Sequence, residues 1–316
     1  MEDQPFVSIV IPTLNSSKYI LLCLKSIEML IYPKDRLEVI VADNGSTDET
    51  VDIAKGWGAC VVDATKLKVG GVRNRGASYA KGRIIAFADS DVLVGKMWIA
   101  AAVKSLKNDN IGAVGGVYRS PENGTWVEKA WTIRPVISGV NVDYLAGGSF
   151  ILKRDIFEKL GGFSEDLIAA EDDDLSQRIR SIQLQLHHTP SCDVIHLGYP
   201  KTLIDVARRQ VWLGSSLSLK SSEIHNPMTM LTCLFLLASI SLFPAALIAL
   251  KFNAYLIVNI FIIIIIPFIA AAGKSLKGSE YYSRRSQFAK LWIIYFYYFI
   301  GKNIGMLSTF SKIYNR

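Results

Sequence analysis

The first 200 residues alternate short apolar runs with helical patterns. Residues 7–11 (Val-Ser-Ile-Val-Ile) are apolar and mostly β-branched, closed by Pro12. The lack of polar alternation predicts a strand covered on both faces. Asn15, Ser16 and Ser17 offer N-cap side chains for a helix with apolar positions Ile20, Leu21, Leu24 and Ile27. A second strand is expected at 37–42, running into the turn residues Asp43-Asn44-Gly45. Ser46 with Glu49 three residues later reads as a capping box for a short helix. Residues 60–62 give a third strand, 76–81 a helix, and 84–88 a fourth buried strand. The order β-α-β-α-β-α-β predicts an α/β fold with a mostly parallel sheet covered by helices. Ligands of such sheets sit beyond the carboxyl ends of the strands. The loops after Ile11, Ala42 and Ala88 are therefore where chemistry is expected.

The texture changes at residue 201. Leu203, Ile204, Val206, Val211, Trp212 and Leu213 mix with Lys201, Arg208 and Arg209. This basic amphipathic pattern fits an interfacial helix or a surface helix of the domain. Residues 228–250 contain no charge and would span roughly 34 Å as a helix. Residues 252–272 form a second uncharged stretch that includes five consecutive isoleucines, 262–266. Both read as transmembrane helices, joined as a tight hairpin at Lys251. Residues 291–310 read either as a third span or as a helix lying in the interface, interrupted by Gly301-Lys302-Asn303. The organisation expected is thus a catalytic domain at 1–200, a linker at 201–227 and a membrane region at 228–316.

Composition sharpens this picture. Of 316 residues, 50% are hydrophobic and 20% charged, and the mean hydropathy is +0.28. These values exclude a disordered tail, a coiled coil and a collagen-like rod. The net charge of +7 is unevenly spread: residues 1–200 hold 22 basic against 25 acidic groups, residues 201–316 hold 13 against 3. Basic excess beside the most apolar segment points to an anionic leaflet rather than to nucleic acid. Lys274, Lys277, Arg284, Arg285 and Lys290 against Glu280 place the 274–290 loop in the cytoplasm, and the N-terminal domain with it. No basic and apolar leader begins the chain, so a cleaved signal peptide is not expected. The expected location is the plasma membrane, multi-pass, with a cytoplasmic catalytic domain. Cys23, Cys60, Cys192 and Cys233 show no C-x-x-C or zinc spacing and read as reduced thiols.

Candidate chemistry gathers at acidic positions. Asp89-Ser90-Asp91 directly follows the fourth strand, and in extended backbone residues i and i+2 point the same way. Two carboxylates can converge there on Mg²⁺ or Mn²⁺ completed by phosphate oxygens. Asp43 at the second strand end fits an Asx-turn or helix cap first, and an acceptor for a nucleobase or ribose second. Glu171-Asp172-Asp173-Asp174 reads as an acidic helix N-terminus, or as the source of a general base.

Together these segments resemble the family-two glycosyltransferases of the GT-A fold. Val7-Ser-Ile-Val-Ile-Pro-Thr-Leu-Asn15 resembles the family's opening strand and loop, and Val41-Ala-Asp-Asn-Gly-Ser-Thr-Asp-Glu-Thr50 its second strand turn. Arg73-Asn74 with Gly76 and Ala80-Lys-Gly82 lead into Phe87-Ala-Asp-Ser-Asp91. Ala146-Gly-Gly-Ser-Phe150 precedes Lys153-Arg-Asp155 and Gly161-Gly-Phe163. Glu171-Asp172 with Asp174-Leu175 resembles the acceptor-side motif, and Val194-Ile-His196 the closing histidine. The likeness covers residues 5–200.

The resemblance implies an inverting transferase that takes a nucleotide-diphosphate sugar as donor. Pro12, Thr13, Asn15, Asp43, Arg73 and Asp89 would bind the nucleotide. Asp89, Asp91 and His196 would hold a divalent metal. Gly147, Gly148 and Glu171 would approach the donor or acceptor sugar, and Asp172 would deprotonate the acceptor. The Q-x-x-R-W signature of processive polysaccharide synthases is replaced here by Ala207-Arg-Arg-Gln-Val-Trp-Leu213. That favours addition of single sugars to a lipid-linked glycan or lipid phosphate. Two other readings stand beside it: a nucleotidyltransferase, for which no Gly-rich basic loop follows the first strand, and a non-catalytic nucleotide-sugar sensor, which the intact acidic motifs disfavour.

Overall fold

The computed structural model describes residues 4–132, 141–167, 169–215, 227–248, 253–277 and 284–314. The chain divides into two units, Met1–Pro121 with Ile137–Gly198, and Glu122–Val136 with Tyr199–Arg316.

The first unit is built on β1 (Val7–Thr13), β2 (Leu37–Asp43), β3 (Cys60–Asp63), β4 (Ile84–Phe87), β6 (Ile111–Gly115), β8 (Phe150–Lys153) and β9 (Gln185–His188). They form one seven-stranded sheet in the order β3-β2-β1-β4-β8-β6-β9. The continuous apolar run of β1 has a simple cause. Val7, Ile9 and Ile11 enter one core with Val41, Ala86 and Trp98, while Val10 enters another with Ile40, Ile85 and Phe87. Successive side chains face opposite layers, and both layers are buried.

The strands β1–β4 are parallel, as expected, but β8 runs antiparallel between β4 and β6. The sheet is therefore mixed. The reversal matters for position: Phe150 at the start of β8 lies opposite Phe87 at the end of β4. The Gly147–Ser149 turn is thereby delivered to the edge where Asp89 emerges. A second, three-stranded sheet orders β5 (Val92–Val94), β10 (Val194–His196) and β7 (Tyr118–Arg119) as β5-β10-β7. Its antiparallel register sets His196 opposite Val92, one residue from Asp91.

Helix starts differ from expectation. α1 (Ile20–Glu28) begins after Tyr19 without a side-chain cap, and α2 (Thr50–Trp57) begins after Glu49 without a capping box. Asn15 and Ser46 are spent instead on bonds between loops, described below. A capping box forms instead at Thr125 with Glu128, on the short helix Trp126–Trp131. The helix expected at 76–81 lies earlier, as α3 (Val69–Ala77). Its glycines disfavour helix locally, but a Cβ on Gly76 would drive into Val10, so close packing on β1 decides. The helix Glu171–Ser181 begins at the acidic run as expected.

The second unit is helical: Leu203–Ser215, Pro227–Ile248, Asn253–Lys277 and Arg284–Tyr314. One stretch, Ile257–Lys274, is long and apolar enough to cross a membrane among the described residues, and Pro227–Ser241 is a shorter apolar stretch. Lys251 and residues 278–283, with Glu280, lie outside the described residues. Gly301-Lys302-Asn303 does not interrupt the last helix, which continues to Tyr314. Its glycine serves packing instead. A Cβ on Gly301 would strike the Ala207 carbonyl, and one on Gly214 the Lys302 carbonyl. The helix Leu203–Ser215 thus lies backbone to backbone on the last helix, in the small-residue manner. Gly301→Leu should force the two apart and destabilise by about 1–3 kcal/mol, read as a lower thermal midpoint of the purified protein.

Candidate functional site

The carboxyl ends of β1, β2 and β4 set out three loops side by side, because Thr13 pairs with Asp43 and Val10 with Phe87. Short polar side chains tie the loops together. The Asn15 amide donates to Ser46 Oγ at 2.8 Å, and the Thr47 amide donates to Asn15 Oδ1 at 2.9 Å. Asn15 adopts φ 49, a left-handed conformation that asparagine tolerates. The Ser16 amide donates to Thr50 Oγ1 at 2.7 Å, and the Ser16 and Ser90 hydroxyls share a bond of 2.8 Å. Asn15 is therefore a fastener between loops.

Asp43 is buried. Its Oδ2 accepts from the Gly45 and Ser46 amides at 3.0 and 2.9 Å, the Asx-turn arrangement. Its Oδ1 has no hydrogen-bond partner among the described residues, and neither has the buried hydroxyl of Thr13 beside it. A buried polar atom left unpaired costs about 1–3 kcal/mol. Pro12 precedes Thr13 at the end of β1, half-buried, and pairs with Ala42 beside Asp43.

Asp89, Asp91 and His196 converge. One potential ligand atom from each lies within 4.8 Å of the others. His196 Nε2 stands 3.6 Å from Asp91 Oδ2. Gly198 is needed here, since a Cβ would collide with the Asp91 carboxylate. Two carboxylates give the oxygen donors that both Mg²⁺ and Mn²⁺ take, with the imidazole as one nitrogen donor beside them. The donor set thus fits the divalent metal expected.

Asp89 also belongs to a buried ionic network. Arg73, on α3 and 4% exposed, donates from Nη2 to Asp89 Oδ1 at 2.8 Å and from Nη1 to Glu171 Oε1. Its guanidinium lies 5.4 Å over the Phe163 ring. Tyr118 donates from its hydroxyl to Asp89 Oδ2 at 2.6 Å and accepts from the Gly148 amide at 2.8 Å. The next amide back, Gly147 N–H, donates to Asp172 Oδ2 at 2.9 Å, and Asp172 Oδ1 accepts from the Asp173 amide. A Cβ on Gly148 would meet Tyr118 Oη and Asp89 Oδ2, and one on Gly147 the Arg73 guanidinium. Only glycine fits this turn.

Charge follows the packing. Burial works against the Asp89 anion, but the Arg73 charge and the Tyr118 hydroxyl outweigh it and hold the carboxyl below its usual range. Burial pushes Glu171 up by more than Arg73 takes back. Arg73 stays firmly protonated, since Asp89 and Glu171 more than offset its desolvation. Tyr118 is raised by burial and by the neighbouring Asp89, so its proton stays on oxygen. Asp172 lies in the first turn of the helix Glu171–Ser181, where a helix favours negative charge. Ala170 before it adopts φ 65, at a cost of roughly 1–2 kcal/mol for a residue with a Cβ.

The expected site residues thus fall into one connected region, in two sets. Arg73, Asp89, Asp91, Gly147, Gly148, Glu171, Asp172 and His196 form a continuous chain of contacts. Pro12, Thr13, Asn15 and Asp43 line the adjoining strand ends and join it through Ser16 and Ser90. Sequence reasoning missed Tyr118, which belongs to no local motif, and the bond between Ser16, read as a helix cap, and Ser90, the middle residue of Asp89-Ser90-Asp91.

Residues 8–163 match the family model described as glycosyl transferase family 2. The glycosyltransferase AglE of Haloferax volcanii is 28% identical over 223 residues, covering 66% of this chain and 72% of that one. A transferase of Methanococcus voltae, dolichyl N-acetyl-alpha-D-glucosaminyl phosphate 3-beta-D-2,3-diacetamido-2,3-dideoxy-beta-D-glucuronosyltransferase, is 46% identical over 50 residues, 16% of each chain. Among solved structures, the mannosyltransferase PcManGT of Pyrobaculum calidifontis, in complex with GDP-Man and Mn²⁺, superposes with a TM-score of 0.60. It is 22% identical, and the match covers 97% of this chain and 88% of that one, a likeness that carries the GT-A fold alone.

Proposed function

The chain belongs to glycosyl transferase family 2, and on that premise we propose that it is a membrane-anchored inverting enzyme that moves one sugar from a nucleoside diphosphate to a lipid-linked glycan or lipid phosphate. The single observation that carries the reading is the continuity of the site. A cation-binding cluster, Asp89-Asp91-His196, runs through Arg73, Tyr118 and the Gly147-Gly148 turn to the carboxylate of Asp172.

The partnerless Oδ1 of Asp43 and hydroxyl of Thr13 would be satisfied by the base or ribose of the nucleotide, with Pro12 flooring the pocket and Asn15 holding its rim. Arg73 acts from behind, presenting Asp89. Gly147 and Gly148 let backbone amides approach the sugar, near Glu171. Asp172 accepts the acceptor's hydroxyl proton as that oxygen bonds to the anomeric carbon. On the opposite face the bond to the phosphate oxygen breaks, and the leaving diphosphate keeps the electron pair. One displacement inverts the anomeric configuration. A divalent ion held by Asp91, with Asp89 and His196, would supply charge neutralisation for that leaving group.

Membrane anchoring rests on the second unit. Ile257 and Phe261 are 64% and 62% exposed on the apolar helix Asn253–Lys277, and Leu234, Leu237 and Ile240 are exposed on Pro227–Ile248. Exposed apolar surface this extensive marks contact with lipid or protein. The multi-pass arrangement, the anionic cytoplasmic leaflet and the division into a catalytic domain (1–200), linker (201–227) and membrane region (228–316) complete the proposal, supported by the charge bias toward the tail. The lipid-phosphate acceptor is favoured by the dolichyl phosphate in the name of the Methanococcus voltae relative.

The test is release of nucleoside diphosphate from a panel of nucleotide sugars, with Mn²⁺, in the presence and absence of membrane extract. Release that requires extract supports transfer to a membrane acceptor. No release from this panel, with pyrophosphate released instead from a nucleoside triphosphate and a sugar phosphate, would replace the reading with a nucleotidyltransferase, and no release from either would replace it with a sensor. Asp91→Ala should weaken Mn²⁺-dependent donor binding by at least about tenfold, read by calorimetry.

A further inference from the structure

Tyr118 lies on a two-residue strand, outside every motif, yet its hydroxyl occupies the junction of the site. It donates to Asp89 Oδ2 at 2.6 Å and accepts from Gly148 N–H at 2.8 Å. Its ring meets the His196 ring edge-on at 5.0 Å. One side chain therefore touches both ends of the cation-binding cluster and the glycine turn. The neighbouring amide of that turn, Gly147 N–H, holds Asp172 Oδ2.

Asp89 needs such a partner. Arg73 fixes Oδ1 alone, and a carboxylate gripped at one oxygen can still swing about its Cα–Cβ and Cβ–Cγ bonds. The Tyr118 hydroxyl closes that freedom by fixing Oδ2. The Gly148 amide in turn would be buried without a partner if the hydroxyl were removed, and the turn would be free to shift. Shifting it displaces Gly147 and with it the hydrogen bond to Asp172.

We propose that Tyr118 is a positioning residue that fixes the distance between the metal-side carboxylate Asp89 and the acceptor-side carboxylate Asp172, by bonding at once to Asp89 and to the Gly147-Gly148 turn. It touches no reacting atom, and it works through the two groups it holds. The transfer half of this statement rests on the glycosyltransferase reading. The metal half rests on the geometry of Asp89, Asp91 and His196.

The variant to make is Tyr118→Phe in the full-length chain, which removes one oxygen and keeps the ring against His196. Free Mn²⁺ is titrated with the protein alone and followed by its paramagnetic resonance signal. The variant should bind Mn²⁺ about tenfold more weakly than the wild type, the usual consequence of deleting a hydrogen bond that orients a ligand. Its thermal midpoint should fall by no more than about 4 °C. In turnover, kcat should fall about tenfold or more while the donor KM changes less than about threefold, because geometry rather than donor affinity is lost. Gly148→Ala approaches the same hydroxyl from the backbone side and should reproduce both effects. Wild-type Mn²⁺ affinity in Tyr118→Phe overturns the proposal, and so does a loss of kcat accompanied by a large fall in thermal midpoint with metal binding intact. If the wild type transfers no sugar to any membrane acceptor, the glycosyltransferase reading fails, and the Mn²⁺ titration still decides the role of Tyr118 at Asp89.

Discussion

Asp172→Asn is expected to bind donor as the wild type does and to transfer sugar at least about 10²-fold more slowly, within the 10²–10⁴-fold that a positioned base contributes. The substitution is nearly isosteric. An asparagine carbonyl oxygen still accepts from Gly147 N–H, so the turn beside the sugar keeps its place. What is lost is the second acceptor with negative charge, the one able to take a proton. The measurement pairs donor titration by calorimetry with steady-state rates on membrane acceptor. Unchanged binding with a depressed kcat assigns the residue to the chemical step, while turnover like the wild type would remove Asp172 from the mechanism.

Arg73→Met should have the largest effect on stability. The guanidinium is buried against two carboxylates, Asp89 at 2.8 Å and Glu171. Deleting one member of a buried ionic group leaves the others uncompensated, at about 3–5 kcal/mol. For a unit of this size that corresponds to a fall in thermal midpoint of roughly 6 °C or more. The sign of the pH dependence follows from Asp89, whose folded carboxyl lies below its unfolded value. Such a group contributes stability above its unfolded pKa, near pH 4, and loses it as pH falls. Glu171 is already raised by burial and would rise further without Arg73. The gap between wild type and variant should therefore narrow from pH 7 to pH 4 in melting curves. Adding Glu171→Gln to the variant should recover part of the loss at neutral pH, because one buried charge is removed.

The sequence showed the strand ends well because burial on both faces leaves an unbroken apolar run, as at Val7, Ile9, Val10 and Ile11. The acidic residues were legible for a related reason: Asp43, Asp89 and Asp91 each stand where such a run stops. Direction was not legible. Nothing in Phe150-Ile-Leu-Lys153 says that this strand runs antiparallel, since alternation is the same either way. Tyr118 was missed for the same cause, because its partners lie 29 and 30 residues away and the chain around it, Val-Tyr-Arg, carries no turn or cap signal. The caps assigned to Asn15 and Ser46 failed through competition. Short polar side chains near a strand end can bond a neighbouring loop as readily as their own helix, and here they bond the loop. The tail was legible as apolar helix, whereas the seating of Gly301 on Ala207 depends on the approach of a partner helix that no local pattern encodes.

The hydroxyl pair Ser16–Ser90 gives the middle letter of Asp89-Ser90-Asp91 a duty of its own. With Asn15 bridging to Ser46 and Thr47, it welds the strand tips into a preassembled collar. On the proposed reading, a nucleotide would meet a collar with little chain left to order, which would lower the entropic cost of binding. Exchanging Ser90 for a bulkier residue would then change the contour offered to the base while leaving both aspartates in the chain.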